Sequence, residues 1–122
     1  MTILSSLKSQ KHFDSVNKQG KKLYSQHFLL VLATNYSEID PTSYSEIRFG
    51  MKVNKKLGTA VIRNKIKRRI RHLIRNTSRN ILLSSARIKL GLIIVPKKGF
   101  EKFKFLELQS EFEKLVIPKI VR

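Results

Sequence analysis

The chain of 122 residues contains no cysteine and no tryptophan. The absence of cysteine excludes disulfide frameworks, thiolate nucleophiles and cysteine-based zinc sites. No stretch approaches the roughly 20 apolar residues that a membrane-spanning helix requires, and residues 1–11 lack the apolar run of a signal peptide. We therefore expect a cytoplasmic protein that does not associate with a membrane.

Acidic residues are scarce, and they are missing from the middle of the chain. Eight Asp and Glu stand against 26 Lys and Arg, which gives a formal net charge of +18. Between Ile47 and Phe100 there are sixteen cationic residues and no Asp or Glu. Since 41% of the residues are hydrophobic, the composition is that of a folded chain, and its length fits one domain over residues 1–122. A one-sided positive field on a folded domain points to nucleic acid as the partner.

The hydrophobic pattern predicts seven elements in the order α-β-β-β-α-β-α. A polar stretch at residues 34–45 reads as a loop, residues 76–85 as a connection, and Pro118 as the end of the last helix. The predicted helices occupy residues 9–18, 59–75 and 105–116, and the predicted strands occupy residues 22–25, 27–33, 47–53 and 88–95.

The central helix is the most informative segment, because seven of the thirteen residues from Arg63 to Arg75 are cationic. A helical projection places its apolar side chains within an arc of about 120°. The apolar set is Ile62, Ile66, Ile70, Leu73 and Ile74. An opposite arc of about 100° holds a polar and cationic row, with three further cations on its flanks. The row is Asn64, Lys67, Arg68, Arg71 and Arg75, and the flanking residues are Arg63, Lys65 and Arg69.

No Asp or Glu lies three or four residues from these cations to form the pairs that solvated charged faces normally use. The pattern therefore favours a surface that binds RNA over a solvated charged face. Asn64 adds an amide that both donates and accepts hydrogen bonds, which suits RNA sugars and base edges.

Residues 48–71 resemble the protein subunit of bacterial ribonuclease P. The similarity is carried by a strand that ends in basic residues, followed by the pattern Gly58-x-Ala-Val-x-Arg-Asn-Lys-x-Lys-Arg-x-x-Arg71. Supporting matches extend to Phe13, Gly20, Phe28, the strand before Pro96 and the last helix, so the resemblance covers most of the chain.

The resemblance implies an α+β fold, a single small domain with a central mixed sheet of the ribosomal protein S5 domain 2-like type. It also implies a left-handed β-α-β crossover around the basic helix, against the usual right-handed rule. The implied function is that of a non-catalytic subunit that assists a catalytic RNA in removing the 5′ leader from precursor tRNA. Mg²⁺ would be held mainly by that RNA, and neither a small-molecule substrate nor a protein oligomer would be required.

The resemblance also assigns two sets of site residues. Contacts to the RNA subunit map onto Arg63, Asn64, Lys65, Lys67, Arg68, Arg71 and Arg75. A leader-binding cleft between the first helix and the sheet maps onto Phe13, Phe28, Lys52 and Lys55.

Three positions depart from the family pattern. Lys65 stands where the family has Arg and lacks the planar bidentate fork of a guanidinium. Asn17 and Val31 stand where other members have aromatic side chains in the cleft, which predicts weaker stacking at those two points.

Other interpretations of the same residues remain open. Phe13 and Phe28 are also typical core residues, and one ring can be buried on one face and open on the other. His12, His27 and His72 would suit an acid–base nuclease, but no carboxylate lies near His27 or His72 in sequence. Glu38, Asp40 and Glu46 could hold Mg²⁺, although a polar loop explains them as well.

Two other classes of protein share the cationic helix. A ribosomal or general RNA-binding protein would have the same charge without a leader cleft. An amphipathic helix at a membrane surface would have the same cationic arc, but its apolar arc here is needed to cover the sheet.

Overall fold

The computed structural model describes residues 3–34, 36, 37, 39, 45–82 and 88–120. Within these residues the chain forms five strands and three helices, with short 3₁₀ turns at Lys55–Leu57 and Phe100–Lys102. In chain order they are β1 (Ile3–Ser6), α1 (Gln10–Gln19), β2 (Lys21–Tyr24), β3 (Phe28–Thr34), β4 (Glu46–Met51), α2 (Ala60–Leu82), β5 (Lys89–Pro96) and α3 (Phe105–Ile120).

The strands form one mixed sheet in the order β1-β4-β5-β3-β2. β4 pairs in parallel with both β1 and β5, whereas β3 pairs antiparallel with both β5 and β2. Because β4 and β5 are parallel neighbours, α2 forms the β-α-β crossover that the family resemblance implied. The α+β class and the mixed sheet are confirmed, and the left-handed sense of the crossover stays a prediction.

Each face of the sheet is covered by different helices. On one face, the apolar side of α2 packs with α3 over alternate residues of β3, β4 and β5. On the other face, α1 packs through Val16 against Val31 and Ile93, together with Tyr36 and Ile39 from the segment after β3. Part of the predicted loop at residues 34–45 therefore belongs to the core, while Glu38, Asp40 and other loop residues lie outside the described part.

Two glycines let α1 approach the sheet. A Cβ atom on Gly91 would lie 2.9 Å from Cγ2 of Val16, and one on Gly50 would lie 2.4 Å from Cζ of Phe13. Real Cβ atoms do not make contacts this short, so the strand backbone itself forms the surface on which α1 rests.

The structure differs from the predicted elements at three places. β1 was not predicted, because Ile3 and Leu4 are its only strongly apolar residues and its pairing with β4 is a tertiary contact. α2 continues to Leu82, two turns beyond the prediction, since Thr77 and Ser78 are buried there. α3 continues past Pro118, because a proline in the last turn removes only one hydrogen bond of the helix.

A polar cluster joins β1 to β4 near one edge of the sheet. Nε of Arg48 donates a hydrogen bond to Oε2 of Glu46 at 2.6 Å, and Oγ of Ser5 donates to the same oxygen at 2.9 Å. The hydrogen bond from Arg48 outweighs the desolvation of the carboxyl group and holds the pKa of Glu46 below its usual value of 4.5. Glu46 thus neutralises Arg48, one cation of the basic strand, within the protein.

Replacing Glu46 with Gln should therefore destabilise the fold in a pH-dependent way. The folded pKa is lowered, so the stabilisation is fully present above pH 4.5 and is lost as the pH falls through the folded pKa. At pH 7 we expect Glu46→Gln to lower the free energy of unfolding by about 1 kcal/mol. Urea unfolding at pH 7 and at pH 3 checks this: the difference between the two proteins should shrink at pH 3, and a difference as large at pH 3 as at pH 7 would contradict the ionic origin.

Candidate nucleic-acid interface

The cationic row of α2 faces away from the sheet, as the helical projection predicted. Ile66, Ile70 and Leu73 have no exposed surface, and Ile74 is 1% exposed, so this side of the helix is fixed against the core. Five of the seven predicted RNA-contacting residues are exposed on the other side, and two are half-buried. The exposed ones are Asn64, Lys65, Arg68, Arg71 and Arg75, and the half-buried ones are Arg63 and Lys67.

These cations form no ion pair with an acidic side chain in the part of the chain that the structure describes. Among the described residues, Glu46 contacts Arg48 and Glu111 contacts His27, and neither contact involves α2. Each α2 guanidinium or ammonium group therefore adds to a positive field that no protein carboxylate in the described part balances. An interface of this kind binds phosphates, because counterions on the nucleic acid are released when the cations replace them.

Arg69 has a different role from its neighbours on the same helix. Its Nη1 atom donates to the carbonyl oxygens of Phe100 at 3.1 Å and Phe103 at 2.6 Å. These bonds hold the 3₁₀ turn that leads into α3, so this guanidinium is engaged in the fold. Sequence alone showed no signal for it, since its partners lie more than thirty residues away.

Phe13 lies at a groove beside the edge of β4, where β1 has already ended at Ser6. The edge of its ring faces Gly50, and Leu7, Phe49 and Met51 form the neighbouring apolar walls. Lys67 and Arg71 of α2 reach the same groove from the other side of the sheet. One aromatic side chain and two cations thus share an open groove, a combination suited to a base and its phosphate.

Phe28 does not belong to this groove, so its assignment to the cleft is wrong. Its ring is completely buried among α2, α3 and the sheet, with ring centroids 6.3 Å from Phe100 and 6.2 Å from Phe112. α1 covers the opposite face of the sheet. Phe28 is therefore a core residue, which was the other interpretation of this residue.

The other cleft residues lie at its borders. Lys52 directly follows β4 and is exposed, and its backbone N–H donates to the carbonyl of Ile94 at 3.0 Å. Lys55 is exposed in the 3₁₀ turn before α2. Asn17 is exposed on α1, whereas Val31 is buried beneath it at 3% exposure, so position 31 is not open to a ligand here.

The histidines lie in separate environments. Nδ1 of His27 is 2.5 Å from Oε2 of Glu111, so the fold supplies a carboxylate that the sequence did not reveal. This pair is part-buried against the ring of Phe103. His72 lies against Phe105 on the α2 side, whereas His12 belongs to α1 on the other face. Nothing in this arrangement brings two of them together as an acid and a base.

The described residues contain no group of three or more His, Cys, Asp or Glu side chains that could hold a metal ion. Glu46, one of the three carboxylates considered for Mg²⁺, is already bonded to Arg48 and Ser5. The described residues therefore offer no cluster suited to Mg²⁺, and Glu38 and Asp40 lie outside the described part. No described helix is long and apolar enough to cross a lipid bilayer.

Comparison with known proteins decides the family. The family model described as Ribonuclease P matches residues 1–118. The chain belongs to the ribonuclease P protein family. It is 46% identical over 118 residues to the "Ribonuclease P protein component" of Rickettsia canadensis, covering 96% of this chain and 98% of that protein. The corresponding protein of Rickettsia prowazekii is 44% identical over 121 residues, with 96% of each chain covered.

Solved structures of ribonuclease P proteins share the fold. The Staphylococcus aureus protein superposes with a TM-score of 0.66 at 25% identity, covering 96% of this chain and 97% of its own. The Thermotoga maritima protein gives a TM-score of 0.69 at 24% identity, covering 92% and 94%. The chain is thus similar throughout to the protein component of an endoribonuclease, a ribonucleoprotein that processes tRNA, and the resemblance seen in the sequence is confirmed.

The two arginines at positions 68 and 69 of this ribonuclease P family member offer a matched test. We expect Arg69→Ala to lower the free energy of unfolding by about 1–3 kcal/mol, because two buried carbonyl groups lose a charged donor. Arg68→Ala should change it by less than about 0.5 kcal/mol, since that side chain is exposed. Denaturant unfolding followed by circular dichroism measures both, and equal effects would contradict the division of roles.

Proposed function

We propose that this protein is the RNA-binding subunit of a ribonuclease P holoenzyme and that α2 is its docking surface for the RNA subunit. The observation that carries the proposal is the row of exposed cations on α2 that no described carboxylate neutralises. The row is rigid, because four of the five apolar side chains of the helix, from Ile66 to Ile74, are buried in the core. A rigid row of positive charges and one amide suits the backbone of a structured RNA better than that of a flexible chain.

The groove at Phe13 is the proposed entry of the 5′ leader of precursor tRNA. Stacking on an aromatic ring tolerates any base, and this matches a leader whose sequence differs between substrates. Lys67 and Arg71 extend from the docking helix into the groove and can contact phosphates of the leader. Lys52 and Lys55 are exposed near the same end of β4 and would add positive charge along the path.

Hydrolysis of the phosphodiester bond belongs to the RNA subunit in this proposal. Mg²⁺ bound by that RNA would supply the activated water and stabilise charge on the leaving oxygen. The protein contributes binding: its cations reduce the repulsion between two polyanions, and its groove holds the leader in a fixed direction. Less Mg²⁺ is then required to bring the substrate and the RNA subunit together.

A ribosomal or general RNA-binding protein was the main alternative. Membership of the ribonuclease P family supports the holoenzyme subunit instead. The shared groove of Phe13, Lys67 and Arg71 also gives the protein a surface for single-stranded RNA next to its surface for structured RNA.

Reconstitution with a bacterial ribonuclease P RNA tests the proposal. At a Mg²⁺ concentration too low for the RNA alone, we expect the added protein to restore removal of the leader from precursor tRNA. The protein's affinity for the RNA should fall with salt at a log–log slope of roughly −4 to −5 if about five phosphates are contacted. A protein that restores no cleavage, or a slope near zero, would refute the proposed role.

A double variant with a matched control tests whether α2 is responsible for binding to the RNA subunit and for its salt dependence. Arg68→Ala combined with Arg75→Ala should weaken binding to the RNA subunit and make the salt slope shallower by about 2, one for each contact removed. Val61→Ala, at a position on the same helix that is 77% exposed, should leave both quantities unchanged.

The groove requires a test of its own. We expect Phe13→Ala to lower the holoenzyme's affinity for precursor tRNA by about tenfold, within the range for stacking on one ring, and to leave its affinity for mature tRNA unchanged. Phe13→Leu keeps an apolar side chain against Gly50 but removes the ring, so it should show the same selective loss. Equal losses on both RNAs would return Phe13 to a packing role.

A further inference from the structure

Tyr24 is a large exposed side chain that neither the core nor the groove at Phe13 explains. It is 70% exposed and lies at the end of β2, the edge strand of the sheet farthest from β1. An exposed tyrosine on a strand presents a flat ring whose burial by a ligand requires little loss of conformational freedom. The side chains beside Tyr24 on the sheet determine which ligand fits there.

The strand register places Tyr24 in a row that crosses the sheet. Tyr24 pairs with Leu29 of β3, and Leu29 pairs with Val95 of β5. Met51 pairs with Ile94, so Lys52, the next residue, continues the register beside Val95 and bonds to the carbonyl of Ile94. Cross-strand partners share one face of a sheet, so these four side chains form one row, Lys52, Val95, Leu29 and Tyr24.

This row lies on the face that carries α1, and the cluster under α1 reaches only Val95 and leaves the row partly open. Leu29 and Val95 are two residues from Val31 and Ile93, which pack under α1, and alternate residues of a strand share a face. Leu29 and Val95 are only half-buried, and Lys52 and Tyr24 are exposed at the two ends. The row is thus an open apolar floor that runs beside α1.

The floor begins at the groove of Phe13. Gly50, under the ring of Phe13, is two residues from Lys52 and faces the same way. From β4 to β2 there are three strand spacings, roughly 14 Å. The open surface therefore continues from the groove to Tyr24 along the direction that crosses the strands.

The charged side chains along this row indicate which kind of ligand binds there. Lys22 lies two residues from Tyr24 on the same face and is exposed. Nζ of Lys97 donates to the carbonyl of Ser25, the residue after Tyr24. None of the four side chains in the row is a carboxylate. An apolar floor with one aromatic ring and lysines at its borders fits a chain of flat bases on an anionic backbone, which is single-stranded RNA.

We propose that Tyr24 is a base-stacking site for the distal part of the 5′ leader, an inference that rests on the proposed function. If α2 docks on the RNA subunit, the leader enters the sheet where Lys67 and Arg71 meet Phe13 and then crosses towards β2. Tyr24 contacts a base farther from the cleavage site than the base at Phe13. The holoenzyme then distinguishes leaders by length, because only a leader that reaches β2 gains this contact.

Holoenzyme variants and a series of precursor tRNAs, lengthened at the leader by one nucleotide at a time, test the inference. With the native protein, the affinity of the holoenzyme for precursor tRNA should rise in two steps as the leader is lengthened. The first step occurs when the leader reaches Phe13, and the second when it reaches Tyr24. Tyr24→Ala should abolish the second step alone, a loss of about tenfold in affinity. Tyr24→Phe keeps the ring and should retain the step. Leu106→Ala, 80% exposed on α3, is the matched surface control.

The outcomes separate this inference from the proposed function. A Tyr24→Ala loss that is equal for all leaders, or no loss for any leader while Phe13→Ala still weakens binding, would overturn the role of Tyr24 and leave leader binding intact. If neither variant affects any leader, leader binding by this protein fails as well.

A single abasic nucleotide in the leader identifies the position that stacks on Tyr24. Moved along a long leader, it should weaken binding to the native holoenzyme at the position stacked on Tyr24, and this penalty should vanish with Tyr24→Ala. The penalty at the Phe13 position should persist in that variant. A penalty that is the same in both proteins at every position would refute stacking on Tyr24.

Discussion

Burial of the apolar side of α2 against the sheet is the contact on which the proposed RNA-binding surface depends. Ile66, Ile70 and Leu73 are fully buried, and each contributes about 1.5–3 kcal/mol relative to an exposed side chain. Rotating the helix would expose these residues and bury guanidinium groups, which costs several kcal/mol per unpaired charge. The direction of the cationic row is therefore set by the core. Arg69, on the flank of the row, is not part of this surface, because its hydrogen bonds to Phe100 and Phe103 hold it against the turn before α3.

The second constraint is the close approach of α1 to the other face. Glycine at positions 50 and 91 lets Phe13 and Val16 contact the strand backbone directly. Larger residues at these two positions would lift the helix and close or widen the groove. Because α1 covers only part of this face, the row from Lys52 to Tyr24 stays open. The same packing thus stabilises the helix and leaves a surface for a ligand.

Strong local patterns made most of the fold predictable, and long-range pairing explains what was missed. The alternate apolar residues of β4 and the apolar arc of α2 both face the core, as the sequence predicted. The family resemblance placed Phe28 on the wrong face. Its own strand could not correct this, because alternation in a continuously apolar strand does not indicate which side meets α1. β1 and the bond between His27 and Glu111 depend on partners far away in sequence, so no local signal reveals them. The exposed cations were predictable from their period alone, whereas the engagement of Arg69 was not.

The end of β1 at Ser6 connects the two proposed RNA surfaces. Beyond that residue the edge of β4 has no neighbouring strand, so side chains from both faces of the sheet meet around it. Lys67 and Arg71 arrive from the docking helix and Phe13 arrives from α1. A longer β1 would fill this edge and separate the two surfaces by the full thickness of the sheet. Because they meet in one groove, an RNA proposed to bind α2 and a leader proposed to bind beside α1 would contact the same two cations, and their binding free energies would be coupled.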